Sequence, residues 1–411
     1  MVPPHGASFV VFSVRVELRY FLMRTSNVLQ GLALVAIFGS TLGACTVTSD
    51  NPGTGGATGS AGAQSTAGNQ GTAGTQTGSF EIACTGTKTP TVDATAAVKG
   101  PCDIYAADGG PCVAAHSTVR ALYGGYSGPL YQVKKADGTT KDVTPLMPGG
   151  FADSTIQDTF CGVDPCTISI IYDQSGSGNH LTKAPAGGAK MTPDDEAKAG
   201  ALPVTFKGHN VYGVHIVPGI GYRNNMACGT ATGDKQETMY MVADGSAYNK
   251  GCCFDYGNME RNSRDNGEGT MEAVYFGTCT IWGKGAEMGP WVMGDLENGL
   301  WAGDVSPYLN AKPVTFKYLT GMVKGDAPGM NHWAIKLGDA QAGTLISQFD
   351  GPRPSDRYKV MRKEGAIGLG TGGDNSNGAI GNFFEGVMTA HFSSAAADEA
   401  VQANIVAAYG P

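Results

Sequence analysis

Two short segments of this 411-residue chain set carboxylates where they could do chemistry. The first is Trp291-Val292-Met293-Gly294-Asp295-Leu296-Glu297-Asn298. Asp295 and Glu297 are two apart, so on a strand both side chains point to one face. Paired carboxylates on a solvent groove are costly without a ligand or a partner. The second is Gly372-Gly373-Asp374-Asn375-Ser376-Asn377-Gly378, a polar loop between two β-like runs. Its glycines let the backbone come close to a ligand. Hydrolysis of a glycosidic bond needs two carboxyl groups, one as general acid and one as nucleophile or base. The acid needs a raised pKa and hence an enclosed site. Trp282 and Trp291 offer aromatic faces on which sugar C–H groups can pack. Against this, Asp/Asn/Gly loops are most often turns, acids on strands are most often solvated, and Glu272 and Glu385 are similarly placed competitors.

Other chemistries find little support. The chain has no G-x-S-x-G elbow and no G-x-x-x-x-G-K-[ST] loop. Its seven His are scattered with no HExxH, and the cysteines do not make two CxxC knuckles, so no metal is expected. Ser175-Gly176-Ser177-Gly178-Asn179-His180 reads as a tight turn after a strand. A net charge of −8 without a Lys/Arg run argues against nucleic acid and against polybasic membrane attachment. Charged residues are 16 %, hydrophobics 41 %, and Gly alone 62 residues, about twice its usual ~7 % share. That balance suits an all-β extracellular protein with neutral polar substrates such as sugars.

The elements that must position these acids are short strands. Thr167–Tyr172, Val211–Val217, Thr238–Val242, Met271–Phe276, Val314–Tyr318, His332–Leu337 and Phe383–His391 are punctuated by Gly, Asn, Asp and Pro. Two stretches read helical: Val113–Tyr123, and Ala395–Tyr409 with Ser394 as N-cap and Val401, Ile405 and Ala408 at helical spacing. The pattern predicts a two-sheet β-sandwich with helices at its margins.

Three regions are expected. Residues 1–45 read as an export signal: Arg24 is followed by a charge-free stretch from Thr25 to Ser49 with an apolar run, Leu32–Phe38. It ends at Leu42-Gly43-Ala44-Cys45, which resembles a bacterial lipobox with Cys45 as the lipidated residue; Met23 is an alternative start. Residues 46–80, rich in Gly, Thr, Ser and Ala, form a flexible linker with a reach of about 30–35 Å. Residues 81–411 are the folded domain, with its core over 99–411. Of ten cysteines, Cys102/Cys112 and Cys161/Cys166 are close enough in sequence to clip loops. Cys252 and Cys253 either bridge each other, which is strained, or pair elsewhere, for instance with Cys228 and Cys279.

Longer runs carry a family resemblance. Gly100-Pro-Cys-Asp-Ile-Tyr105, Pro111-Cys-Val-Ala-Ala-His-Ser117, Gln157-Asp-Thr-Phe-Cys161 and Ile171-Tyr-Asp-Gln-Ser-Gly176 resemble the catalytic domain of glycoside hydrolase family 54, the α-L-arabinofuranosidase B type. So do Gly221-Tyr-Arg-Asn-Asn225, Cys252-Cys-Phe-Asp-Tyr-Gly257, Glu364-Gly-Ala-Ile367 and Gly372–Gly378; the likeness covers about 99–410. It implies a concanavalin-like β-sandwich (jelly roll) and an exo-acting, retaining enzyme without cofactor. Terminal α-L-arabinofuranosyl groups would be released from arabinoxylan, arabinan and arabino-oligosaccharides.

By the same resemblance Glu297 is the nucleophile and Asp374 the general acid/base. Asp295, Asn298, Gly299, Gly373 and Trp282 fall on sugar-binding positions, Gly299 standing where the family pattern has a second Asn. Cys252–Cys253 becomes a vicinal disulfide under the sugar ring. Cys228 and Cys279 look like additions and are expected to pair, leaving Cys84 without an obvious partner. Many members carry a C-terminal arabinose-binding β-trefoil; none is expected here. A monomer is expected, attached to a membrane only through the lipid anchor. A non-catalytic, surface-displayed carbohydrate-binding sandwich is the alternative.

Overall fold

The strands Glu237–Asp244, Tyr318–Gly325 and Gly381–Thr389 carry Met, Val, Tyr, Leu and Phe on both faces, so neither face can be left in water. They are buried almost end to end and form the centre of a seven-stranded antiparallel sheet. Its order is Cys112–Ser117, Gly381–Thr389, Glu237–Asp244, Tyr318–Gly325, His332–Asp339 and Ala342–Pro352, with Val214–Ile216 added to Gly381–Thr389. A second seven-stranded sheet runs Leu300–Trp301, Trp291–Asp295, Glu272–Gly277, Asp255–Met259, Ala366–Leu369, Tyr222–Asn224 and Thr182–Lys183. The computed structural model describes residues 99–303 and 308–411, which belong to the unit Thr77–Pro411. The expected signal (1–45), the linker (46–80), Cys45 and Cys84 lie outside the described residues.

The two sheets pack face to face, as a β-sandwich requires. A Cβ added at Gly321 would meet Val274 and Val292 at 3.0 and 3.2 Å, and one at Gly294 would strike the Trp333 ring at 2.7 Å. Positions 274, 292 and 294 of the second sheet therefore face the core. With a side-chain period of two, Asp255, Tyr275 and Asp295 face outward. Register carries this across strands: Asp255 pairs with Tyr275, which pairs with Met293, and Ala273 pairs with Asp295. The outer face of the second sheet carries the acids.

The helix Ala395–Tyr409 is present as expected, its cap closed by Ser394 Oγ accepting from the Ala397 N–H at 3.1 Å. Val401 and Ile405 are fully buried. The helix expected at Val113–Tyr123 is instead the edge strand Cys112–Ser117, drawn into ladder pairing with Gly381–Thr389. Tertiary pairing overrode a weak local preference. At Val314–Tyr318 only Tyr318 lies in a strand. Two short helices, Pro101–Ala107 and Ser154–Cys161, escaped the sequence reading because neither is long enough to show a period.

Three expected disulfides are present: Cys102–Cys112, Cys161–Cys166 and Cys252–Cys253. The expected Cys228–Cys279 bridge is not. Cys279 is a free, buried thiol, whereas Cys228 is disulfide-bonded. They sit in different neighbourhoods: the Cys228 N–H is held by Asn179 Oδ1, and the Cys279 N–H by the Tyr275 hydroxyl.

Candidate active site

The strand Trp291–Asp295 ends one residue before Leu296, and the chain returns at once as Leu300–Trp301. Glu297 and Asn298 are the two residues of that hairpin turn, closed by the Leu296 N–H donating to Gly299 O at 3.1 Å. Both have left-handed φ, 60° and 54°, the pattern of a type I′ turn. Asn tolerates this conformation; Glu does so at a cost of about 1–2 kcal/mol. Glu297 thus reaches its place through a strained turn and not by strand alternation with Asp295, as the spacing had suggested. Asp295 Oδ1 accepts the Glu297 N–H at 3.2 Å, and the buried Tyr358 hydroxyl donates to Glu297 O at 3.0 Å. Strain at a functional position persists when surrounding contacts over-determine it.

The second segment is a compact loop against the vicinal pair. Ser376 O accepts from the Gly372 N–H at 2.8 Å and the Cys253 N–H at 3.3 Å, and Cys252 O accepts from the Gly378 N–H at 2.9 Å. Asp374 Oδ1 accepts from the Ser376 N–H at 2.9 Å, which sets its side chain. Arg223 pins the loop: its Nη1 donates to Gly372 O and Gly373 O at 2.9 and 2.8 Å, and its Nη2 to Glu260 O at 2.5 Å. Gly373 has to be glycine, because a Cβ there would collide with Glu260 Oε2 and stand 2.6 Å from Glu297 Oε2.

These elements close a pocket of about 130 Å³ lined by Cys252, Cys253, Asp265, Trp282, Asp295, Glu297, Asn298, Gly299, Gly372, Gly373, Asp374 and Ser376. Every residue that the family resemblance assigned to this site lines it. Larger hollows exist, one of about 580 Å³ beside Asp158, Tyr212 and Lys317, but it holds a single acid and no carboxyl pair. Chemistry, not size, locates the site. Trp282 is 41 % exposed at the rim, while Glu297 and Asp295 are 8 % and 6 % exposed. Trp291 is buried, its Nε1–H donating to Ala286 O at 2.8 Å, and is a core residue. Cys253 Sγ lies 3.4 Å from Asp295 Oδ2. The two sulfurs and an Asp295 oxygen fall within 4.8 Å of one another, but sulfurs joined in a disulfide offer no thiolate to a metal.

The pocket is crowded with acid. Burial, then the charges of Glu260, Asp295, Asp265 and Asp374, pushes Glu297 up to about 10. Burial likewise raises Asp295 to about 7. Beneath them Asp255 is fully buried, and burial followed by repulsion from Asp295 lifts its carboxyl well above the usual carboxylate range. Arg223 is the cation among them, and burial lowers it to about 10.

The competing acids are elsewhere. Glu272 points between the sheets, bonded to Arg353 at 2.6 Å and Lys363 at 2.9 Å. Glu385 meets Arg120 at 2.6 Å and the hydroxyls of Tyr240 and Tyr409. His180 accepts the Asp173 N–H, as a turn residue would. The sequence reading missed Asp265 and Ser376 in the lining, and Arg223, Asp255 and Glu260 behind it. Arg223 and Asp255 do lie inside the runs Gly221–Asn225 and Cys252–Gly257 that carried the family resemblance.

Residues 101–410 match the family described as "Alpha-L-arabinofuranosidase B, catalytic". A probable alpha-L-arabinofuranosidase B of Aspergillus fumigatus is 57 % identical over 318 residues, covering 76 % of this chain and 62 % of that protein. The alpha-L-arabinofuranosidase B of Aspergillus oryzae is 53 % identical, covering 80 % and 66 %. The chain therefore spans a little under two thirds of these relatives. A crystal structure of an arabinofuranosidase complexed with arabinofuranosyl-alpha-1,2-xylobiose superposes with a TM-score of 0.72 at 51 % identity, over 75 % of this chain and 65 % of that one.

Proposed function

Because the chain belongs to the family of alpha-L-arabinofuranosidase B catalytic domains, we propose that it is an exo-acting, retaining α-L-arabinofuranosidase. The observation that carries this reading is the convergence of Glu297 and Asp374 on one small pocket beside Trp282 and the Cys252–Cys253 disulfide. Glu297, ionised, attacks the anomeric carbon of a terminal α-L-arabinofuranosyl group, and Asp374 gives its proton to the departing glycosidic oxygen. Asp374 then takes a proton from water, which opens the covalent arabinosyl-enzyme from the same face. Retention of this kind goes with carboxyl groups about 5–5.5 Å apart.

Asp295 and Asn298 hold ring hydroxyls, and Trp282 and the disulfide give apolar contact to the furanose. Arabinoxylan, arabinan and arabino-oligosaccharides are the substrates of this reading. The protein acts as an exported monomer held, through Cys45, by lipid.

The test is release of nitrophenol from 4-nitrophenyl α-L-arabinofuranoside by the full chain beside Glu297→Gln. Turnover by the parent and its loss in the variant support both activity and nucleophile. Equal turnover by both means that another carboxylate attacks. Binding of arabinose without turnover by the folded parent favours the non-catalytic sandwich.

A further inference from the structure

The mechanism above leaves one proton without an owner. Glu297 has to be ionised to attack, yet it sits buried among acids that favour its protonated form. The proton needs a nearby acceptor that is not itself the general acid.

One carboxylate has the geometry. Glu260 follows the strand Asp255–Met259 and is fully buried. Its Oε1 accepts from Thr270 Oγ1 at 2.5 Å, and its Oε2 is buried with no donor other than a protonated Glu297 carboxyl. That free oxygen is aimed at the nucleophile: a Cβ placed on Gly373 would run into Oε2 of Glu260 and Oε2 of Glu297 alike. Arg223 spends its N–H groups on Asn225 Oδ1 and on the carbonyls of Glu260, Gly372 and Gly373, so it fixes both backbones without bonding either carboxylate. A buried acceptor left unpaired costs about 1–3 kcal/mol, and a shared proton would satisfy it.

We propose that Glu260 is a positioning residue for the nucleophile: when sugar fills the pocket, the proton on Glu297 moves to Glu260 Oε2 and stays there through both displacements. This deepens the arabinofuranosidase reading and rests on it. The step is a proton transfer and nothing else. The Glu297 O–H bond breaks, a Glu260 O–H bond forms, and the negative charge passes to the oxygen that attacks. The Glu260 O–H can then donate to Glu297, which aims the attacking carboxylate. Other groups set the balance. Asp295, Asp265 and Asp374 act on Glu297, Arg223 and Thr270 act on Glu260, and Asp255 acts through Asp295. Burial raises Glu260 as well, the direction a proton holder needs.

The test is the pH dependence of kcat/KM for the full chain on the chromogenic arabinofuranoside. Glu260→Gln removes the internal acceptor, so Glu297 has to give its proton to solvent before it attacks and the acid limb moves up by about one pH unit, whereas loss of a like charge alone would move it down. Thr270→Val, close to isosteric, removes the donor that favours charge on Glu260. Glu260 then holds a proton more firmly, the pair takes up its second proton at a higher pH, and the limb moves up by a smaller step. A purely structural role would lower kcat/KM or Tm with the limb in place. Limbs of both variants that coincide with the parent's or move down overturn the proposal, and Thr270→Val alone decides it if Glu260→Gln does not fold. A parent that binds arabinose without turning it over sinks the enzymatic reading separately. The infrared band of a protonated carboxyl then decides: it has to change on binding in the parent and be lost in Glu260→Gln.

Discussion

Glu272 and Glu297 are both buried acids of one sheet, the first on a strand and facing the core, the second on a hairpin turn and facing the outer pocket. Glu272, facing the core, has Arg353 and Lys363 within 2.9 Å. Burial alone would raise it, but these two cations hold it down at about 2. Its neighbour Glu237 has Lys363 at 3.0 Å and Asn258, and burial there prevails, lifting it to about 7. Glu297, on the outer face, is surrounded by Glu260, Asp295, Asp265 and Asp374. Burial thus gives opposite outcomes, decided by whether cations match the acids. The core face uses matched charge to fix two sheets against each other; the outer face leaves acids unmatched, ready for a ligand.

The largest expected effect tests the unmatched side. Glu297→Gln should lower kcat about 10³-fold or more, with Tm little changed because a neutral amide replaces a carboxyl that already holds its proton. A fall in Tm equal to that of a core variant would erase the distinction between the faces. Asp374→Asn should cost about 10²–10⁴-fold on natural oligosaccharides, and clearly less on nitrophenyl glycosides, whose leaving group needs little protonation. Equal losses on both substrates would remove Asp374 from the acid role.

On the matched side, Glu272→Gln should cost about 3–5 kcal/mol in urea unfolding at pH 7, since it strands Arg353 and leaves Lys363 with Glu237 alone. Its kcat per folded molecule should stay within about twofold, measured by active-site titration.

The sign of the pH response separates the faces further. Glu272, lowered from 4.5 to about 2, adds stability above pH 4.5 that is lost as pH falls through 2. Asp295, raised from 3.8 to about 7, adds stability below pH 3.8 that is lost as pH rises through 7. Asp295→Asn should therefore gain on the parent in Tm between pH 4 and pH 8, by a few degrees, and Glu272→Gln should lose ground over pH 2–5. Parallel Tm curves for Asp295→Asn and parent would mean that Asp295 titrates normally. The smallest effect is expected at the rim: Trp282→Ala should raise KM about five-fold with kcat little changed, the loss of roughly 1 kcal/mol of ring contact.

Much of this was legible in the chain. The two acid segments, the terminal helix behind Ser394 and the all-β class follow from local spacing and composition. The long runs at Cys252–Gly257 and Gly372–Gly378 tied the chain to one family. Errors arose where distant contacts ruled. Cys112–Ser117 became a strand because Gly381–Thr389 was there to pair with it. Cys279 stayed a thiol because Cys228 lies beside Asn179, in another neighbourhood. Glu297 entered the pocket through a left-handed turn that no period-two argument foresees.

By itself the sequence determined which side chains are available: the acids, the adjacent cysteines, the glycine at 373 and the tryptophan at 282. Their identities are local facts and survive in any conformation. Only the tertiary structure decided which acids are matched by cations. Glu272 meets Arg353 across 81 residues of chain and Glu385 meets Arg120 across 265, whereas Glu297 meets further acids. Charge matching is a property of distance and burial in space, and the fold alone brings those groups together or keeps them apart.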